Sequence, residues 1–404
     1  MKIAVYLGDI SSSESGAFTF QDDIFSALLN CEGAKQHTFV IYSNLPKQQT
    51  SGRGYPNLEW EARCTEKRER ILRFVSTCFE ASVFIADSLH FSGWFDRSLR
   101  KHAAEMVWFL TPSFHRTELP YIYTVWDLQH RMQPWFPEVA SYGRGYFRDK
   151  SFSRAIARAT TVVVPNEAGR EQLTHLYSIL PDRVLMLPEP TPSFALEASA
   201  ERGTGVLRKY GLTDNYLFYP AQLWPHKNHV NLLAATKLLK ERSGIVLSLV
   251  FVGGDQGNEA HIRAMADDWK LSEQLYLLGH VSREDLIGLY RNALALTYMS
   301  FIGPSNLPPL EAFALGCPVI ASRIPGAQEQ MGDAALLVDP TDIEGLAAAI
   351  ESVYSDESFR QELICRGRDR ASRWTAKEYV AKLLAHVDDF TRVRRCWRSG
   401  DWSK

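Results

Sequence analysis

Three features of this 404-residue sequence predict an α/β fold of two doubly wound parallel-sheet domains. Apolar runs of strand length alternate with segments of helical spacing, and that alternation restarts after residue 200. Between the two halves lies 187–205, LPEPTPSFALEASAERGTG, rich in Pro, Ser, Ala and Gly. Strands alternating with helices form parallel sheets covered on both faces, and a chain this long exceeds what one core ordinarily serves. The domains are placed at 1–200 and 201–375, with a helical tail over 376–404.

The totals exclude several classes. With a net charge of −2, no global field draws the protein to nucleic acid. The six cysteines (31, 64, 78, 317, 365, 396) form no C-x-x-C pair, which argues for a reducing compartment and against structural zinc. No apolar run approaches about 18 residues, the length that spans a bilayer. The opening MKIAVYLGD passes straight into a strand-like run without a signal peptide's cleavage region. A cytoplasmic protein is expected.

Residues 2–7 read as a buried strand, followed by the loop GDISSSESGAF and by helical spacing over 21–29. This is how a Rossmann-like unit opens, but without G-x-G-x-x-G the dinucleotide fingerprint is missing. Gly16 is a candidate for close approach to a ligand, with a plain turn as the competing reading. Strand-like runs follow at 37–42, 83–86, 106–110, 121–125 and 160–164. Ligands of such sheets bind at the carboxyl ends of the strands. One strand-end loop stands out, Trp126-Asp127-Leu128-Gln129-His130-Arg131. It gathers an acid, an amide, an imidazole and a guanidinium, and makes Asp127 and His130 candidates for catalysis. A polar loop in which Asp127 caps the next segment is the alternative.

The second half predicts strands at 216–220, 246–253 and 275–278 and helices at 230–241, 283–292 and 343–354. YPAQLWPHKNH, 219–229, joins its first strand to its first helix and sets Lys227 and Asn228 at the helix start. A lysine there can neutralise a diphosphate as a point charge. The stretch 297–322, TYMSFIGPSNLPPLEAFALGCPVIAS, reads as strand, Gly/Pro/Ser/Asn loop, helix and strand. Proline suits a first helical position. The loop is expected to aim free backbone amides and a positive dipole end at an anion, with Glu311 in the first turn. No D-x-D occurs in the sequence, so a carboxylate-held metal is not indicated.

In this order, the blocks VWDLQH, YPAQLWPHKNH, FVGG, LGHVS, GPSNLPPLEAFALGCPVIAS, PGAQEQMGDAALLVDP and RWT resemble those of GT-B glycosyltransferases of retaining family 4. The resemblance implies two facing Rossmann-like domains with a cleft between them and a last helix that crosses back to the first domain. The C-terminal domain would hold a nucleotide-diphosphate sugar as co-substrate, with no further cofactor, and the N-terminal domain the acceptor. By resemblance Lys227 holds the diphosphate, together with Gln222 and Asn228. Asn306, Leu307 and Pro308 line the phosphate and sugar side, and Glu311 bonds the ribose. Gly253, Gly254, His280 and Val281 edge the nucleoside pocket, and Gly16 approaches from the other domain. The chain departs from the family at three places. Gly303 stands where an earlier Glu is usual, Gln222 where an Arg is usual, and Trp126 where a His often ends the strand.

The resulting expectation is retaining, metal-independent hexosyl transfer, with GDP-mannose weakly preferred over UDP- or dTDP-sugars. The acceptor would be a saccharide or lipid-linked glycan of bacterial surface-polysaccharide synthesis. Asp127 and His130 would orient its hydroxyl, and the departing diphosphate would help to take its proton. A sugar-nucleotide 2-epimerase and a non-catalytic glycan- or nucleotide-binding subunit on the same scaffold are the alternatives. The basic-aromatic tail RVRRCWR suggests peripheral contact with the cytoplasmic face of a membrane, with a solvated end as the default.

Overall fold

A computed structural model describes residues 1–8, 15–43, 58–62, 94–199, 203, 205–213 and 215–397. The first sheet contains β1 (Lys2–Tyr6), β2 (Thr38–Ser43), β3 (Leu58–Ala62), β4 (Met106–Phe109), β5 (Tyr121–Thr124), β6 (Thr161–Val164) and β7 (Val184–Met186). Its spatial order is β3-β2-β1-β4-β5-β6-β7. The second contains β8 (Tyr216–Pro220), β9 (Ser248–Val252), β10 (Leu275–Leu277), β11 (Ala295–Tyr298), β12 (Val319–Ser322) and β13 (Ala335–Val338), in the order β10-β9-β8-β11-β12-β13. Every pairing between these strands is parallel. This is the GT-B arrangement.

The strands are short apolar runs because helices cover both faces. All four side chains are buried in MVWF of β4, YIYT of β5 and TVVV of β6. Helices start where a side chain can accept an orphan N–H. Asn166 accepts from Gly169, Ser282 from Asp285 and Asp356 from Phe359. Thr375 and Glu378 form a reciprocal capping box.

In each sheet the strand order reverses once, between β1 and β4 and between β8 and β11. Chain leaving neighbouring strands at such a point parts to opposite sides and opens a crevice at their carboxyl ends. The loops after β8 and β11 both open there, and they hold the two motifs that the sequence singles out.

The last helix, Ala376–Arg394, packs on the first domain. Tyr379, Val380, Leu383, Leu384 and Val387 share one core with Ile3, Val5, Phe20 and Ile24. Trp374, just before it, donates its indole N–H to the Pro188 carbonyl at 2.8 Å. The basic tail is partly tied down, since Arg394 is buried, donates to the Trp397 carbonyl at 2.6 Å and lies over the Trp397 ring. Among the described residues, no helix is long and apolar enough to cross a membrane.

Differences from the sequence reading are local. The first helix runs Ser15–Asn30 rather than 21–29, and the run at 83–86 lies outside the described residues. Three short edge strands, β3, β7 and β13, went unrecognised, because runs of three to five residues bounded by turns carry little periodicity.

Because Leu383 fills the core of a domain whose strands lie far away in sequence, Leu383→Ala should destabilise the protein by about 2–5 kcal/mol. The urea unfolding midpoint followed by tryptophan fluorescence measures this. A midpoint unchanged from wild type would show that the helix docks without contributing to that core.

Candidate active site

Between the two sheets lies a cleft of about 650 Å³. The second domain contributes Gln222, Trp224, His226 and Lys227 from the loop after β8, and Ile302 to Pro308 from the loop after β11. The first domain contributes Gly16 and Phe20 from its opening helix, Trp126, Asp127 and Gln129 from the loop after β5, and Glu189 from the loop after β7.

Lys227 closes a one-turn segment, Pro225–Lys227, whose backbone is held by the Tyr219 hydroxyl on the Lys227 carbonyl. Its Nζ donates to the Tyr298 hydroxyl at 2.8 Å. Among the described residues lining the cleft it is the one lysine or arginine.

The helix Leu307–Leu315 starts on the same cleft and ends at Gly316, whose φ of +76° suits the left-handed cap. The expectation of several free amides at its start is corrected. Pro308 and Pro309 have no N–H, and the Asn306 N–H goes to Gln330 Oε1 at 3.1 Å. That leaves the Leu307 amide at the helix start, on the cleft that Lys227 also lines.

The loop before this helix is built around Gly303. Its φ is +129°, and a Cβ there would collide with the Asn306 side chain, which donates to the Gly303 carbonyl at 2.8 Å. Pro304 is held across the cleft by the Asn166 side-chain amide. A glutamate would be strained in this conformation and would collide with Asn306.

Residues 207–370, which contain Lys227 and this loop, match the family Glycosyl transferases group 1. They form a domain of that family. O-antigen chain mannosyltransferase B of Escherichia coli is 29% identical over 248 residues, covering 59% of this chain and 63% of that protein. The chain therefore matches less than two thirds of that relative's length. Sucrose-phosphate synthase from Thermosynechococcus elongatus superimposes with a TM-score of 0.71 at 17% identity, covering 97% of this chain and all of that one (100%). WaaG, a glycosyltransferase involved in lipopolysaccharide biosynthesis, gives 0.69 at 16% identity, covering 95% and 99%. At these identities the two superpositions establish the GT-B fold.

The structure sorts the candidate residues. Gly16, Gln222, Lys227, Asn306, Leu307 and Pro308 line the cleft. Gly253 and Gly254 sit beside Gln222 and Gln256. A Cβ on Gly253 would strike the Ala221 carbonyl, one on Gly254 would come within 3.1 Å of His280 Nε2, and the Gly253 N–H binds the Gly279 carbonyl at 2.9 Å. These contacts bring 253–254 and His280, with Val281 next to it, to one edge of the domain.

Three assignments are corrected. Asn228 is buried away from the cleft with φ of +59°, and its amide donates to the Met299 and Pro340 carbonyls at 3.1 and 2.8 Å. It pins the helix start to the sheet and does not hold a ligand. His130 also turns inward. Its Nε2 lies 2.9 Å from the Tyr177 hydroxyl and its ring packs edge-on against Phe152. Burial, with Arg148 nearby, pulls its pKa down to about 4, so it is a neutral core histidine. Glu311 does not line the cleft either. It is buried, accepts from the Tyr290 hydroxyl at 2.6 Å and lies near Arg283 and Asp23, so a ribose contact requires that bond to be exchanged.

Asp127 keeps its place at the cleft. Its Oδ1 accepts from Arg148 Nη2 at 3.0 Å and from the Gln129 N–H at 2.8 Å. Burial raises its pKa, but the Arg148 guanidinium and the Gln129 amide outweigh burial and hold it below the ordinary value. The result is a fixed, ionised acceptor. Glu189 escaped the sequence reading because it lies in the proline-rich stretch taken as a linker. The available signal was its place at the carboxyl end of β7, a strand too short to be recognised.

Burial pushes the Glu311 carboxyl up to about 7, although the Tyr290 hydroxyl and Arg283 oppose it. A carboxyl whose folded pKa exceeds its unfolded one loses stability as pH rises from about 4.5 to 7, and the loss stays complete above that. Glu311→Gln should therefore stabilise the protein at pH 8, by up to about 3 kcal/mol, and much less at pH 4.5. Melting temperatures at both pH values test this, and a gain of equal size at each would count against it.

Proposed function

We propose that this protein transfers a hexosyl group, with retention, from a nucleotide-diphosphate sugar to a saccharide or lipid-linked glycan. The observation that carries this reading is the meeting of Lys227 and the Leu307 helix start on one interdomain cleft. A diphosphate between them is met by an ammonium, one helical amide and the positive end of the helix. The cleft leaves the first domain free to present an acceptor opposite the donor. GDP-mannose and surface-polysaccharide synthesis are favoured by the likeness to the E. coli O-antigen mannosyltransferase.

The chemistry follows from this arrangement. The anomeric C–O bond to the diphosphate breaks and a bond to the acceptor oxygen forms on the same face. The acceptor proton passes to the departing diphosphate, so the leaving group serves as base. Lys227 stabilises the charge that develops on the diphosphate. Asp127, ionised and held by Arg148, accepts a hydrogen bond from the acceptor and orients it.

A thermal-shift panel of GDP, UDP and dTDP tests the donor site, because a ligand at 100 times its Kd adds about 2.7 kcal/mol of stability. The expected result is a shift with one of the three and none with Lys227→Ala. With the donor so identified, Lys227→Ala should lose on the order of 10²–10³ in kcat. Near-wild-type turnover in that variant would remove Lys227 from the mechanism.

A further inference from the structure

Two carboxyl side chains line the cleft among the described residues, and they are held differently. Asp127 is engaged by Arg148 and a backbone amide of its own domain. Glu189 instead reaches across to the second domain, where Oε2 accepts from the Ser305 hydroxyl at 3.1 Å. Its backbone is stiff, because Pro188 and Pro190 flank it. Trp374 clamps both sides, its indole N–H on the Pro188 carbonyl at 2.8 Å and its own carbonyl accepting from the Thr191 N–H at 3.1 Å. Two prolines and two hydrogen bonds for one carboxyl fix where it points, which a passive linker does not need.

The placement has a chemical meaning. Glu189 touches the loop that begins at Gly303, a position whose backbone admits no side chain, so the loop presents no carboxylate of its own to the cleft. A hexose attached to a diphosphate at Lys227 and Leu307 lies beside this loop, and a sugar ring needs acceptors for its hydroxyls. Glu189 also lines the wall between the cleft and an adjoining cavity of about 300 Å³. It is therefore reachable from the cleft, and its other side opens on that adjoining cavity.

We propose that Glu189 and Ser305 form the hydroxyl-binding subsite for the donor hexose, with the Glu189 carboxylate accepting from sugar hydroxyls in place of the Ser305 hydroxyl. This rests on the donor reading given above and adds the residue that recognises the transferred sugar, supplied by the domain opposite the diphosphate site. Burial pushes the Glu189 carboxyl up to about 7, which Asp127 reinforces and Ser305 and Lys227 oppose. Such a group gains its hydrogen-bond partners when a sugar arrives and loses little by giving up Ser305.

Calorimetry on the full-length protein tests it, with GDP-mannose against GDP and UDP-glucose against UDP as probes. For the pair that binds, Glu189→Gln should weaken the sugar nucleotide about tenfold or more, as loss of a charged hydrogen-bond partner does, and leave the bare nucleotide within about twofold. Glu189→Ala should behave alike, and circular dichroism checks that both variants fold. An equal effect on sugar nucleotide and nucleotide, or none on either, overturns the subsite while leaving the glycosyl-transfer reading standing. Wild-type protein that binds none of the four probes, nor dTDP in the thermal-shift panel, overturns both.

Discussion

The His226–Glu138 contact sets the distance between the two domains on which everything at the cleft depends. Glu138 sits on a short helix of the first domain, His226 in the loop after β8, and His226 Nδ1 meets Glu138 Oε1 with both side chains largely buried. Burial lowers the His226 pKa even against the pull of Glu138. Burial raises that of Glu138, but the hydrogen bonds from His226, Gln129 and the backbone, with the electrostatic attraction of His226, together outweigh it and hold the carboxyl low. The pair is thus a neutral imidazole donating to a carboxylate. Breaking such a buried bond leaves an unpaired charge, which is costly. Lys227 is the next residue, so the interaction that joins the domains also places the cation of the cleft.

Further contacts extend this joint. The Gln133 side chain donates to the Phe301 carbonyl at 2.9 Å, the Phe136 and Phe301 rings lie 5.8 Å apart, and the Phe301 N–H binds the His226 carbonyl at 2.8 Å. On the far side Asn166 holds Pro304, and Glu189 meets Ser305. The loop after β11 is therefore gripped by the first domain at several points. Its shape reflects both domains, which explains why Gly303 and its left-handed φ belong to the site.

The cleft is sparing in positive charge. Among the described residues one lysine and the start of one helix line it, and two carboxyls share the same wall. Burial strengthens each of the few favourable contacts because less water competes for them. Arg148 uses its charge to fix Asp127 and does not itself line the cleft.

Much of this was legible in the residue order. The alternation of VVV- and YIY-type runs with capped helices announced two parallel sheets, because burial on both faces leaves a continuous apolar signature. WPHKN and GPSNLPPLEA marked the two loops at the switch point, because Pro at a helix start and Lys beside it are local chemistry. What the order could not decide was which way a strand-end side chain turns. His130 and Asp127 lie three residues apart, yet one faces Phe152 and Tyr177 and the other the cleft, because the helix Arg144–Arg158 supplies Phe152 to one and Arg148 to the other. Asn228 looked like a ligand and proved to be a tie between helix and sheet, while Glu189 looked like linker and reached the site. Sequence alone determined the inner strands, the two switch-point loops and the lysine, since these follow from periodicity and caps within a few residues. Only the tertiary structure settled which polar groups share the cleft, since that depends on contacts between distant chain segments, such as Gln133 and Phe301, 168 positions apart.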